Sequence, residues 1–233
     1  MSLVLGIVPA RGGSKGVPGK NVKPLKYGRN LLDYASWAAN KSGVVNRVVL
    51  STDSKRIEGV GRRAGLEVLT RPPALAADDT PMLPVIEHAL AELARTGWSP
   101  EIVVLLQPTS PLRRPDHIRN ALAKLRKTRA DSVVTVVQLP LDSSPDYVMR
   151  IEGGRLQPFL PEGALLTRRQ DTRPAYRREG TVYAFWRATL ERFGNIYGDN
   201  CQPLVLDPCE SLSIDTPADW DDAKRRAPRI RMV

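Results

Sequence analysis

Short β-branched runs alternate with helical patterns through more than half of this chain, and that alternation constrains its fold more than any other feature. Leu3–Val8, Arg47–Ser51, Glu67–Thr70, Ile102–Leu106 and Ser132–Val137 read as strands; Leu31–Ser42, Ser54–Ala64, Pro81–Thr96 and Pro115–Thr128 read as the helices between them. Strand, helix and strand in succession build a mostly parallel sheet. Ile102-Val103-Val104-Leu105-Leu106 lacks the polar alternation of a sheet with one wet face, so the expected class is α/β, Rossmann-like, with helices on both faces. Thr80 before Pro81 and Arg114 before Pro115 place proline at the first helical position, where its missing N–H costs nothing. With 233 residues, 42% of them hydrophobic, the chain can bury one substantial core, so residues 1–233 are expected to form one domain without staples.

From about Gln138 to Arg178 the pattern changes to proline, glycine and charge, before Thr181-Val182-Tyr183-Ala184-Phe185 resumes a core strand. A structureless loop of that length is unusual in a compact domain. The segment therefore has its own small structure or packs on another subunit, with a mobile surface insertion as the alternative.

The first strand runs into Val8-Pro9-Ala10-Arg11-Gly12-Gly13-Ser14-Lys15-Gly16-Val17-Pro18-Gly19-Lys20-Asn21, which combines four glycines with three cations. Glycine lets backbone N–H groups turn toward an anion, and Arg11, Lys15 and Lys20 supply the charge that a polyphosphate demands. A P-loop would need glycine where Ser14 stands and Ser or Thr where Asn21 stands, and no G-x-G-x-x-G is present. A solvated basic hairpin is the competing reading of the loop taken alone.

The net charge of +10 points to an anionic partner. Nucleic acid would call for cations interleaved with stacking aromatics, but aromatics are only 6% and stand apart from the main basic clusters, so no nucleic-acid partner is expected. Lys124, Arg126, Lys127 and Arg129, and the tail cations Lys224, Arg225, Arg226, Arg229 and Arg231, read as solvated helix faces and a frayed terminus. Cys201 and Cys209 lack metal-ligand spacing and read as reduced thiols. The N-terminal apolar run has no basic flank and is too short for a signal peptide or membrane span. A cytoplasmic protein without a membrane partner is the expectation.

The glycine loop resembles the opening signature of the cytidylyltransferases that activate acidic sugars: the CMP-sialic acid synthetases, their legionaminic and pseudaminic acid relatives and, more distantly, the CMP-KDO synthetases. The resemblance continues through Ser51-Thr52-Asp53, Arg71-Pro72, Leu106-Gln107-Pro108-Thr109-Ser110-Pro111-Leu112-Arg113, Arg169-Gln170 and Ser211-Leu212-Ser213-Ile214-Asp215-Thr216. It implies a nucleotidyltransferase sheet with a small dimerisation excursion at about 138–178, acting as a homodimer on CTP and a small acidic sugar. It also implies that Arg11, Gly13, Ser14, Lys20 and Asn21 surround the triphosphate, that Arg71 faces the nucleotide, and that Lys20 and Arg11 neutralise transferring and leaving phosphate.

Further implications concern the metal and the sugar. Mg²⁺ or Mn²⁺ would bridge the phosphates, with Asp215 as the leading ligand and Asp53 the next; either aspartate could instead cap the helix that follows it. Arg169 would grip the sugar carboxylate across the dimer interface, beside Gln170, while Gln107 and Tyr183 match positions near the sugar. Tyr183 lies on a core-like strand and has packing as its alternative, and nothing marks His88 or His117 as catalytic.

Two departures stand out. Ser213-Ile214-Asp215 replaces the family's common Asp-Ile-Asp, and Glu179-Gly180-Thr181-Val182-Tyr183 replaces its frequent Asn-Gly-Ala-Ile-Tyr. The first alters the metal arrangement; the second fits a less usual nonulosonic or octulosonic acid as well as sialic acid. The competing functions are a same-fold transferase using another nucleotide or a sugar 1-phosphate, a nucleotide sensor without turnover, and a nucleic-acid-binding module.

Overall fold

The computed structural model describes residues 2–161 and 172–232. Its first half follows the sequence pattern closely: β1 (Val4–Pro9), α1 (Leu31–Ser42), β2 (Arg47–Thr52), α2 (Lys55–Arg63), β3 (Glu67–Thr70), α3 (Met82–Arg95), β4 (Ile102–Leu105), α4 (Pro115–Thr128) and β5 (Ser132–Gln138). There follow β6 (Met149–Glu152), β7 (Arg155–Pro158), β8 (Tyr176–Trp186), α5 (Arg187–Phe193), β9 (Cys201–Leu206) and α6 (Pro217–Arg226). Among the described residues the main sheet has seven strands in the order β3-β2-β1-β4-β8-β5-β9. Every neighbouring pair is parallel except β4–β8 and β8–β5, so β8 alone runs against the rest.

Both faces are covered, and the period of two along β1 shows how. Val4 and Val8 pack with Leu32 and Ala35 of α1, Ile57 of α2 and Ile118 and Leu122 of α4. Leu5 and Ile7 point the other way, onto Ile86, Ala89 and Leu93 of α3 and Leu190 of α5. A third cluster joins Leu31 and Tyr34 of α1 to Trp220 and Ala223 of α6, and takes in Val17 and Ile214 from the two loops that matter below. Burying a side chain of this size contributes about 1.5–3 kcal/mol.

Two expectations change and a third holds. Pro81 is the N-cap of α3 and not its first helical residue, because the Thr80 N–H closes a turn onto Ala77 O and Thr80 makes no side-chain cap. The basic tail does not fray: Ile230 and Ala227 are buried, Tyr34 Oη donates to Pro228 O, and Arg226 donates to the carbonyls of Cys209 (2.7 Å) and Ser211 (3.1 Å). The stretch after Gln138 has structure of its own, the antiparallel pair β6–β7, joined by Gly153-Gly154. Both glycines have positive φ, as the favoured two-residue hairpin turn requires. Its base is pinned where Asp146 accepts the Arg173 N–H at 3.0 Å, and its faces leave Ile151 79% and Leu156 66% exposed.

Candidate functional site

Four parallel strands end on the same edge of the sheet, and the chain order reverses between β1 and β4, the place where an open α/β sheet leaves a crevice. Ala10 N to Ser51 O (3.0 Å), Arg71 N to Thr52 O (2.7 Å) and Leu106 N to Ile7 O (2.9 Å) carry the ladder up to that edge. Because β8 is reversed, its early residues Glu179 and Gly180 reach the same edge beside Gln107. An open cleft of about 450 Å³ results, lined by Arg11, Ser14, Lys20, Arg71, Gln107 and Asp215 among others.

The glycine loop is held at both sides. Asp53 Oδ1 accepts the Gly12 N–H at 2.9 Å, and the Asn21 side chain donates to Arg11 O at 3.4 Å. Across the cleft, a Cβ on Gly16 would lie more than 1 Å inside the 3.0 Å limit of real contacts, against the Asp215 carbonyl oxygen. Gly16 is thus needed for backbone approach, with no demand for positive φ. Lys20 Nζ donates to Ile214 O at 2.6 Å and stands 3.6 Å from Asp215 Oδ1. Ser213 Oγ donates to Asp215 Oδ2 at 2.9 Å, while Asp219 accepts the Asp215 and Thr216 N–H groups as part of the capping box of α6.

Arg71 is buried and largely engaged. It donates to Ser51 Oγ (3.1 Å) and Ser51 O (2.9 Å), and burial draws its pKa below the usual arginine value while Asp53 opposes that shift. Gln107 is positioned from behind by Arg113, only 1% exposed, which donates to the carbonyls of Gln107 and Thr181, both at 2.5 Å, and of Gly180 at 3.2 Å. A Cβ on Gly180 would come within 3.0 Å of Gln107 Oε1, so glycine there keeps the Gln107 amide in place.

The structure thus brings Arg11, Gly13, Ser14, Lys20, Asn21, Arg71, Gln107 and Asp215 to one cleft. It does not bring Asp53 or Tyr183 into that lining. The Asp53 carboxylate is turned onto the glycine loop, and Tyr183 packs with Leu105 and Val134 in the second core cluster, where burial raises its phenol pKa. Arg169 and Gln170 lie outside the described residues. Asp78, which pairs with both Arg11 and Lys15, escapes the sequence reading. The two acidic letters Asp78-Asp79 after the Arg71-Pro72 motif were the available signal.

Among the described residues no group of three or more His, Cys, Asp or Glu could hold a metal. One carboxylate, Asp215, with the Ser213 hydroxyl beside it, fits a Mg²⁺ that brings its own waters and phosphate oxygens, and does not fit an all-protein cage. A larger hollow of about 660 Å³ beside Gln138, Arg177 and Asp207 lacks the cation cluster that a polyphosphate needs. Cys201 and Cys209 are both free and exposed. No helix among the described residues is long and apolar enough to cross a membrane.

The sequence profile described as "Cytidylyltransferase" matches residues 5–197. The chain is 32% identical over 219 residues to the CMP-N,N'-diacetyllegionaminic acid synthase of Legionella pneumophila, with 93% of each chain covered. It is also 32% identical to the N-acylneuraminate cytidylyltransferase of Oncorhynchus mykiss, over 97% of this chain and 51% of that one. In fold it is similar to a CMP:2-keto-3-deoxy-manno-octonic acid synthetase solved with CTP, with a TM-score of 0.70 at 17% identity, covering 96% and 98% of the two chains. A 4-diphosphocytidyl-2C-methyl-D-erythritol synthase from Anaerococcus prevotii gives 0.66 at 15% identity, over 98% and 99%.

Proposed function

The chain belongs to the cytidylyltransferase family, and from that premise we propose that it transfers CMP from CTP to the anomeric hydroxyl of a 2-keto-3-deoxy sugar acid, releasing pyrophosphate. The observation that carries the reading is the convergence of Arg11, Lys20, Arg71 and Asp215 with the Gln107 amide on one crevice at the chain reversal. A nonulosonic acid is favoured as acceptor, because the two relatives of 32% identity are named for the legionaminic and neuraminic acids.

In the reaction the anomeric oxygen attacks the α-phosphorus, the bond from that phosphorus to the β-phosphate oxygen breaks, and the hydroxyl proton passes to solvent. Such a displacement needs alignment and charge neutralisation more than covalent help. Lys20, held by Ile214 O and Asp215, is already oriented and spends little freedom in meeting a phosphoryl oxygen. Arg11 supplies a second cation, Gly13 and Ser14 line the same space, and Arg71 braces the wall through Ser51. Mg²⁺ or Mn²⁺, carried on the triphosphate and held through Asp215 and Ser213, would add Lewis-acid charge neutralisation. Gln107 sits where a sugar hydroxyl or carboxylate can be read.

The hairpin β6–β7, with Ile151 and Leu156 exposed, supports a homodimer through the excursion at about 138–178. Arg169 and Gln170 would then serve the partner's sugar site. The test is to incubate the protein with CTP, Mg²⁺ and a panel of 2-keto-3-deoxy sugar acids while pyrophosphate is monitored. Release that depends on both CTP and a nonulosonic acid is expected. No release with any member of the panel, or equal release with UTP or ATP, would overturn the proposal.

A further inference from the structure

Arg11 and Lys15 share one counter-ion, Asp78, whose Oδ1 pairs with the guanidinium and whose Oδ2 pairs with the ammonium. Neither cation has another side-chain partner among the described residues, whereas Lys20 has Ile214 O and Asp215, and Arg71 has Ser51. The inner cations of the cleft are therefore anchored to protein, and the outer pair is balanced by one carboxylate.

That carboxylate sits on a turn. Thr80 N–H closes onto Ala77 O at 3.2 Å, with Asp78 and Asp79 at the tip, and the segment before the turn is fixed where the buried Arg71 reaches Ser51. The Asp78 side chain is 46% exposed, so it can swing to water without disturbing the core. Lys15 and, after it, Arg11 keep its carboxyl below the ordinary range, so it is charged at neutral pH.

One carboxylate on two cations leaves a net positive charge, and exposed ion pairs are individually weak. An anion of several charges gains more from Arg11 and Lys15 than Asp78 does, while an anion of one or two charges gains little over it. We infer that Asp78 is an exchangeable counter-ion that competes with the substrate polyphosphate for Arg11 and Lys15. It sets the preference of the cleft for highly charged anions and reclaims both cations as pyrophosphate leaves. This rests on the proposed function and adds a selectivity-determining residue to it.

The test is calorimetric binding of inorganic pyrophosphate, orthophosphate and CTP to the wild type, Asp78→Asn, Asp78→Ala and Asp79→Asn, at low and high salt, with melting curves to check folding. Both Asp78 variants should bind pyrophosphate about three- to tenfold more tightly, the scale of two exposed ion pairs, and the gain should shrink with salt. Their preference for CTP over orthophosphate should narrow, and pyrophosphate should become a stronger product inhibitor. Asp79→Asn should match the wild type. Unchanged or weaker pyrophosphate binding in the folded Asp78 variants would overturn the inference and make Asp78 a residue that positions Arg11; equal tightening in Asp79→Asn would reduce it to net charge. A wild type that binds pyrophosphate but forms none from CTP and any sugar acid would sink the proposed function alone, since the binding comparison stands without turnover.

Discussion

Gly16→Ala asks whether the glycine loop and the Asp215 segment work as one unit. The added Cβ would lie more than 1 Å inside the 3.0 Å limit, against the carbonyl oxygen of Asp215, which cannot rotate away as a side-chain terminus could. Asp215 is fixed on both sides: Ile214 N–H donates to Thr109 O at 3.0 Å, and Asp215 N–H donates to Asp219. The exposed loop must therefore yield, opening a gap of roughly 1 Å between its cations and Asp215, a misplacement that can cost about 10²-fold in rate. That is about 2.7 kcal/mol of transition-state stabilisation. Stability should fall less, by about 1–2 kcal/mol, because only the packing of Val17 on Ile214 is loosened, and a melting temperature lower by about 2–8 °C would follow. The assay is CTP-dependent pyrophosphate release against Mg²⁺ concentration, with a thermal melt alongside. Gly13→Ala adds the same methyl where nothing lies within 4 Å, so the difference between the two variants isolates the clash. A Gly16→Ala protein with wild-type kcat and Mg²⁺ dependence would refute the coupling.

Lys20→Ala should lower kcat/KM for CTP by about 10²-fold or more with little change in melting temperature, and near-wild-type turnover would remove Lys20 from the phosphate site. Gly180→Ala should fold normally, since its backbone φ is not positive, but should raise KM for the sugar acid more than KM for CTP by displacing the Gln107 amide. Arg113→Met should lower stability in denaturant melts by about 3–5 kcal/mol, because it strips donors from three carbonyls and leaves the buried Glu179 without its opposing charge. For His117, burial and then Arg114 hold the imidazole below its ordinary value of 6.5, with Glu210 opposing, so the unfolded chain takes up the proton first and stability is lost as pH falls through 6.5. His117→Gln keeps an acceptor for Arg114 N–H and should lose less stability between pH 7.5 and pH 5; equal losses in urea melts at the two pH values would refute that assignment.

The order of elements was legible because each depends on local chemistry. Leu31–Ser42, Glu67–Thr70 and Pro115–Thr128 form with the boundaries that their composition and caps dictate. The glycine loop was legible from its own residue types, and Arg71, Gln107 and Asp215 through the family resemblance; they share one crevice because a parallel sheet sends its loops to one edge. The sequence pattern missed α5 and the edge strand β9, whose Pro203 breaks the strand signal and is tolerated because β9 pairs on one side only. What the tertiary structure alone decided is who faces whom. Reversal of β8 sets Gly180 under Gln107, close approach of Gly16 ties the phosphate loop to Asp215, and Asp78 meets Arg11 across 67 positions of sequence. It also separates Asp53, turned onto Gly12, and Tyr183, turned into the core, from the cleft they would have lined. Such pairings depend on side-chain direction and on contacts between distant segments, and residue type and spacing along one chain specify neither.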